Sequence, residues 1–115
     1  MDQTTLAYVN LYGVLGALPR LCELDPAAAD IVRLKKPLRL GFRVKGGPAV
    51  TLAFENGGCR MEDGAENCDM RLAFSTPEKF NGMIAGTVTP IPWKGLNHVF
   101  FLLRRFTKLT DLLTK

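Results

Sequence analysis

The sequence predicts an α+β fold in which a twisted, mainly antiparallel sheet of four to five strands is covered by N-terminal, middle and C-terminal helices. Apolar residues recur at helical spacing near both ends of the chain and once in its second half, and between about residues 38 and 74 they alternate with polar ones. Glycine-containing turns separate the alternating runs. With 115 residues, 47% apolar and 23% charged, the chain has the size of one compact domain and enough apolar surface to bury a core. No repeat, low-complexity tract or linker divides it, so residues 1–115 are read as a single domain.

From Thr4 to about Leu24, Leu6, Val9, Val14, Leu18, Leu21 and Cys22 fall at helical spacing, with Gly13, Gly16 and Pro19 weakening the pattern. One helix that stops before or at Pro19 is expected. Asp25 followed by Pro26 is an N-cap with proline at the first helical position, so a short second helix runs over Ala27 to Leu34, before Lys35-Lys36-Pro37 ends it. Leu38, Leu40, Phe42 and Val44 then alternate with Arg39, Gly41, Arg43 and Lys45, the period of a half-buried strand. Gly46-Gly47-Pro48 turns the chain, Val50, Leu52 and Phe54 repeat the alternation, and Asn56-Gly57-Gly58 turns it again. Cys59 and Met61 begin a third strand, Asp63 to Asn67 form a loop, and Cys68, Met70, Leu72 and Phe74 supply a fourth alternating set. A four-stranded antiparallel meander follows from this order.

Ser75 or Thr76 caps a helix that has Pro77 and Glu78 in its first turn, Phe80, Met83 and Ile84 as its buried stripe and Gly86 as its stop. That helix is expected on the apolar face of the sheet. Thr87-Val88-Thr89 is a candidate fifth strand, and Pro90 and Pro92 keep it from continuing as a central one. From about Lys94 to Leu113 a long helical pattern runs through Leu96, Val99, Phe100, Leu103, Phe106 and Leu109. The uncapped end, Leu112-Leu113-Thr114-Lys115, leaves two expectations open: a piece of a longer protein, or a helix that finishes against a partner.

Composition excludes several classes of function. A net charge of +4 favours anionic ligands or lipid head groups but is modest for a nucleic-acid binder, and no such partner is expected. The N-terminus opens with Met1-Asp2 and lacks a secretory signal, and no apolar run approaches the roughly 20 residues of a membrane span, so a cytoplasmic location is expected. Cys22, Cys59 and Cys68 form no CxxC pair and His98 is the lone histidine, which argues for reduced buried thiols and against a metal site or a histidine-based triad. Lys45-Gly46-Gly47 lacks phosphate-loop spacing and reads as a hairpin turn. Asp63, Glu66 and Asp69 depart from calcium-loop spacing and are expected to keep a loop hydrated, and nothing in the sequence brings Glu62 and Glu78 together as an acid and base pair. No enzyme chemistry and no cofactor are expected.

The informative feature is a sheet face rich in large, deformable groups: Phe42, Phe54, Met61, Met70 and Phe74, with Phe80 and Met83 from the covering helix. Rings and thioethers suit adaptable apolar pockets, and they equally suit a packed core. Over about Pro37 to Gly86, a definite order of features joins them. A strand, a glycine turn, and a strand ending in acid-Asn-Gly-Gly come first; a further strand and an acidic glycine loop follow. Cys68-Asp69-Met70-Arg71-Leu72-Ala73-Phe74 and Ser75-Thr76-Pro77-Glu78-Lys79-Phe80 then lead to a helix ending at Gly86. This arrangement resembles the sterol carrier protein type two family. The resemblance implies a twisted sheet covered by helices around a lipid tunnel, and non-catalytic binding of fatty acids, fatty acyl-coenzyme A, sterols or other lipids. Carried over by residue, it makes Phe42, Leu52, Phe54, Met70, Leu72, Phe74, Phe80, Met83 and Ile84 candidates for the tunnel wall.

The chain departs from that pattern after Gly86, where the family tends to show a lysine- and glycine-rich strand and a last short helix. Here Thr89-Pro90-Ile91-Pro92-Trp93-Lys94-Gly95 leads into a long basic and apolar helix. Trp93 is a candidate gate at the tunnel mouth, with core packing as its plainer role. Phe101 shares a helix side with Lys94, His98, Arg104, Arg105 and Lys108; of these, Phe101, Arg104, Arg105 and Lys108 are candidates for contact with a lipid head group, a membrane surface or another subunit, against the plain reading of a solvated basic face. The expected function is binding or transfer of an apolar lipid, with transient membrane contact and a homodimer as expected associations. The alternative is an interaction or oligomerisation module with a packed core whose C-terminal helix pairs with a partner. A third reading is an accessory domain that delivers an apolar substrate to an enzyme elsewhere.

Overall fold

Asp2 opens the first helix by accepting the Thr5 N–H at 2.7 Å, which satisfies one of the free amides of a helix start. The computed structural model of the protein describes residues 1–34 and 36–85, the backbone of 92–94, and Phe106, Lys108 and Leu112. Helix α1 (Gln3–Val9) runs through a π-helical turn over Asn10–Val14 and a 3-10 turn over Leu15–Ala17 into α2 (Leu18–Leu24). The stop expected at Pro19 does not occur. Pro19 stands in the first turn of α2, where a missing N–H costs little. Leu11, Leu15, Leu18 and Cys22 thereby keep one buried stripe across the irregular stretch. Helix α3 (Pro26–Ile31) is capped by Asp25, whose carboxylate accepts the Ala27 N–H at 2.9 Å. It ends earlier than the expected Leu34, because the chain leaves helical geometry at Val32, which is fully buried.

The sheet contains β1 (Leu38–Val44), β2 (Ala49–Glu55), β3 (Gly58–Asp63), β4 (Met70–Phe74) and β5 (Pro92–Lys94), in the order β3-β2-β1-β4-β5. β1, β2 and β3 form the antiparallel meander read from the alternation, with Leu40 opposite Leu52 and Leu52 opposite Met61. Asn56 (φ 54°) and Gly57 (φ 79°) make the tight turn between β2 and β3, a geometry that Asn-Gly adopts at low cost.

β4 corrects the expectation of a four-stranded meander. It lies beside β1, parallel to it, with Leu40 opposite Met70, Phe42 opposite Leu72 and Val44 opposite Phe74. After Asp63 the chain crosses the polar side of the sheet, where strand side chains meet its backbone carbonyls. Thr51 Oγ1 donates to Gly64 O at 2.7 Å, Arg71 Nε to Ala65 O at 2.7 Å and Arg39 Nε to Asn67 O at 2.6 Å. Arg39 and Asp69 close the crossing: Asp69 N–H donates to Arg39 O, and Arg39 N–H donates to the Asp69 carboxylate, both at 2.9 Å. Gly41 makes the crossing possible, since a Cβ there would lie 3.0 Å from Cys68 Sγ and 3.2 Å from Ala65 Cβ. Cys68 therefore belongs to the crossing segment over Gly41 and is not the first residue of the fourth strand.

β5 pairs antiparallel with β4 at the sheet edge, and Pro92 stands at its start, where no ladder N–H is required. Lys94 is thus in a strand and does not begin the C-terminal helix. The strand expected at Thr87-Val88-Thr89 lies outside the described residues. So does the C-terminal helix, except that Phe106, Lys108 and Leu112 have helical backbone. Helix α4 (Pro77–Ala85) begins as expected, with Thr76 Oγ1 accepting the Lys79 N–H at 3.3 Å and Glu78 in the first turn. No helix among the described residues is long and apolar enough to cross a membrane.

Candidate functional site

β-strand alternation places Leu40, Phe42 and Val44, Val50, Leu52 and Phe54, and Met70, Leu72 and Phe74 on one face of the sheet. The parallel placement of β4 brings Met70, Leu72 and Phe74 to the middle of that face, directly beside β1. α4 covers it with Phe80, whose ring meets Phe74 edge-on at 5.3 Å and Phe42 edge-on at 6.4 Å. Phe106 lies against Phe42 at 5.7 Å from the C-terminal stretch and is itself buried. Such edge and tilted ring pairs are the favoured aromatic geometries. The structure therefore brings the expected wall residues of β1, β2, β4 and α4 into one cluster, with Met83 and Ile84 half-buried at its border.

The middle of the cluster is buried. Phe42, Leu52, Met70, Leu72 and Phe80 are 0% exposed. A separate hollow of about 300 Å³ is lined by Ala53, Glu55, Asn56, Gly58, Cys59 and Arg60 at the end of the β2–β3 hairpin, and Phe54, Leu52 and the other wall candidates do not line it.

α4 is held in place by a polar clasp that sequence reasoning missed. Asn81, only 7% exposed, accepts from Asn10 Nδ2 at 2.9 Å and donates to Gln3 O at 3.0 Å and Gln3 Oε1 at 2.8 Å. These bonds join α4 to α1 and to the π-helical turn beyond it. The available signal was an asparagine beside Phe80 in an otherwise apolar helical stripe, because a buried amide needs partners.

The opposite face of the sheet is ionic. Glu62 pairs with Arg39 and, at 2.9 Å, with Arg60, and these two guanidinium groups pull its carboxyl down to about 2. Asp63, Glu66 and Asp69, expected to keep a loop hydrated, have separate partners: Tyr12 Oη donates to Asp63 at 3.5 Å, Glu66 lies 4.0 Å from Arg43, and Asp69 receives the Arg39 N–H. Among the described residues no three histidine, cysteine or acidic side chains are grouped to hold a metal ion. The cysteines are free thiols; Cys22 and Cys68 are buried, and burial pushes the Cys59 thiol up to about 12.

Lys108 is exposed. Phe101, Arg104 and Arg105 lie outside the described residues, as does the side chain of Trp93, whose backbone belongs to β5. No protein-family model matches the chain, and no curated protein matches it significantly.

Proposed function

We propose that the protein binds an apolar lipid ligand, a fatty acid, fatty acyl ester, acyl-coenzyme A or sterol-like molecule, between the inner face of the sheet and the helices above it, without chemistry. The observation that carries this reading is Phe42, held between the rings of Phe80 and Phe106 in a cluster completed by Phe54, Phe74 and Met70. Phe80 belongs to a helix clasped to α1 through Asn81, whereas Phe106 comes from the C-terminal stretch after β5. In this reading a ligand takes the place of Phe106 against Phe42. Exposing a phenylalanine costs about 1.5–3 kcal/mol, and each ligand methylene taken from water returns about 0.8 kcal/mol, so roughly two to four buried methylenes offset the displacement. Longer chains gain further affinity without directional contacts. The resemblance of residues 37–86 to the sterol carrier protein type two family supports the same ligand class. Carrier and delivery roles share this chemistry.

Met83 and Ile84, half-buried at the border of the cluster, set the length of chain accepted. Met83→Trp is expected to keep the fold and to shorten the longest fatty acid bound, read by titration with a saturated fatty-acid series. Unchanged chain-length preference in the folded variant removes Met83 from the wall.

A second reading is favoured by the closed packing. With Phe42, Leu52, Met70, Leu72 and Phe80 fully buried, this part of the core is packed, as suits an interaction module whose C-terminal helix pairs with a partner. Its sign is a folded wild-type chain that takes up no fatty acid of any length.

A further inference from the structure

β3 ends the sheet on one side, and its outer edge has no backbone partner among the described residues. The hydrogen-bond parity of that edge follows from its pairing with β2. The Gly64 N–H donates to Ala49 O at 2.9 Å, and the tight turn closes on Glu55 and Gly58. In an antiparallel ladder the bonded pairs alternate, so Gly58, Arg60 and Glu62 turn their N–H and C=O groups toward β2. Those of Cys59, Met61 and Asp63 point outward. Exposed edges template pairing with another chain unless charge or proline guards them. β3 carries no proline, and its two flanking charges, Arg60 and Glu62, have opposite signs on the same face.

Two-fold antiparallel pairing of this edge with itself allows few registers. A register that opposes outward residues to inward ones makes no ladder. Of those that oppose outward residues to outward ones, centring on Arg60 sets arginine opposite arginine, and centring on Glu62 sets glutamate opposite glutamate. Centring on Met61 sets Arg60 of each copy opposite Glu62 of the other. The same register opposes Cys59 to Asp63, both outward, and Met61 to its own copy. Centring on Cys59 or Asp63 would oppose only one outward residue of β3 within the strand, whereas centring on Met61 opposes all three and pairs opposite charges, which stabilises it while like charges oppose the Arg60 and Glu62 registers. Arg60 is the more exposed member, with 64% of its side chain exposed, and Glu62 keeps its Arg39 partner in that register.

We propose that two copies of this chain pair antiparallel through β3 about an axis at Met61, joining their sheets into one. The occupant of the edge is a second copy, because the charge pattern is self-complementary in that register.

Sedimentation of the wild-type chain over a concentration series tests this together with hydrogen exchange read at single amides. A reversible dimer is expected, with the Cys59, Met61 and Asp63 amides slowing as concentration rises. Arg60→Glu sets like charges opposite one another on both sides of the axis, and it is expected to weaken dimerisation about tenfold while circular dichroism stays unchanged. Met61→Pro removes an outward N–H without touching the β2 ladder and is expected to give a monomer. A wild-type chain that stays monomeric at its highest soluble concentration overturns the proposal. So does a dimer in which those three amides exchange equally fast at every concentration, or one that folded Arg60→Glu leaves at full strength.

Discussion

Glu62 shows how one side chain ties the polar side of the sheet together. It lies on β3, yet its main partner, Arg39, lies two strands away on β1, and Arg39 also holds Asn67 and Asp69 of the crossing segment. The folded carboxylate keeps its charge down to about pH 2, whereas an unfolded one titrates near 4.5. Its stabilising effect is therefore complete above about pH 4.5 and is lost as the pH falls from there toward 2. Glu62→Gln is expected to lower the denaturation midpoint at neutral pH, with the gap to wild type narrowing through that window, and paired denaturation curves at several pH values check it. The charge of Glu62 was plain in the sequence. Its partners were not, because nothing local tells an acid which of four nearby arginines will face it. Asn81 teaches the same lesson in the core: its amide was visible, but Gln3 and Asn10, at the far end of the chain, were not.

At the scale of the element, period was legible and neighbourhood was not. The alternation of Leu38 to Val44 and Val50 to Phe54 specified two strands and which side of each is buried, because a strand's side chains alternate regardless of its neighbours. The same alternation cannot say which strand lies beside β4. The available signal was Gly41, a glycine inside an otherwise strong strand pattern, which marks close approach of another segment. Gly41→Ala is expected to push the crossing segment off the sheet and destabilise the protein by about 1–3 kcal/mol in chemical denaturation. Adding Cys68→Ala removes the nearest atom, at 3.0 Å, and is expected to restore part of that loss. A Gly41→Ala variant as stable as wild type contradicts this account of the crossing. Pro19 misled for a related reason. Proline ends a helix when it interrupts the bonded ladder, but a 3-10 turn just before it lets the chain restart with proline in the first turn.

For the whole molecule, the division into an apolar and an ionic side of one sheet follows from the sequence almost directly. The two sides have different tasks. The ionic side receives the crossing that carries the chain from β3 to β4, and the apolar side gathers Phe42, Phe54, Met70, Leu72, Phe74 and Phe80 under the helices. Legible in sequence were the residues of that cluster; their closure was not, because packing depends on how Phe80 and Phe106 meet Phe42 across long separations in the chain. Whether those residues serve a ligand is the central claim, and native mass spectrometry of freshly purified protein, followed by extraction and identification of anything released, tests it most directly. The account predicts a folded chain carrying a stoichiometric fatty acid, acyl ester or sterol-like molecule, or taking one up on addition. A bare chain mass that stays bare after incubation with fatty acids of every length would contradict it.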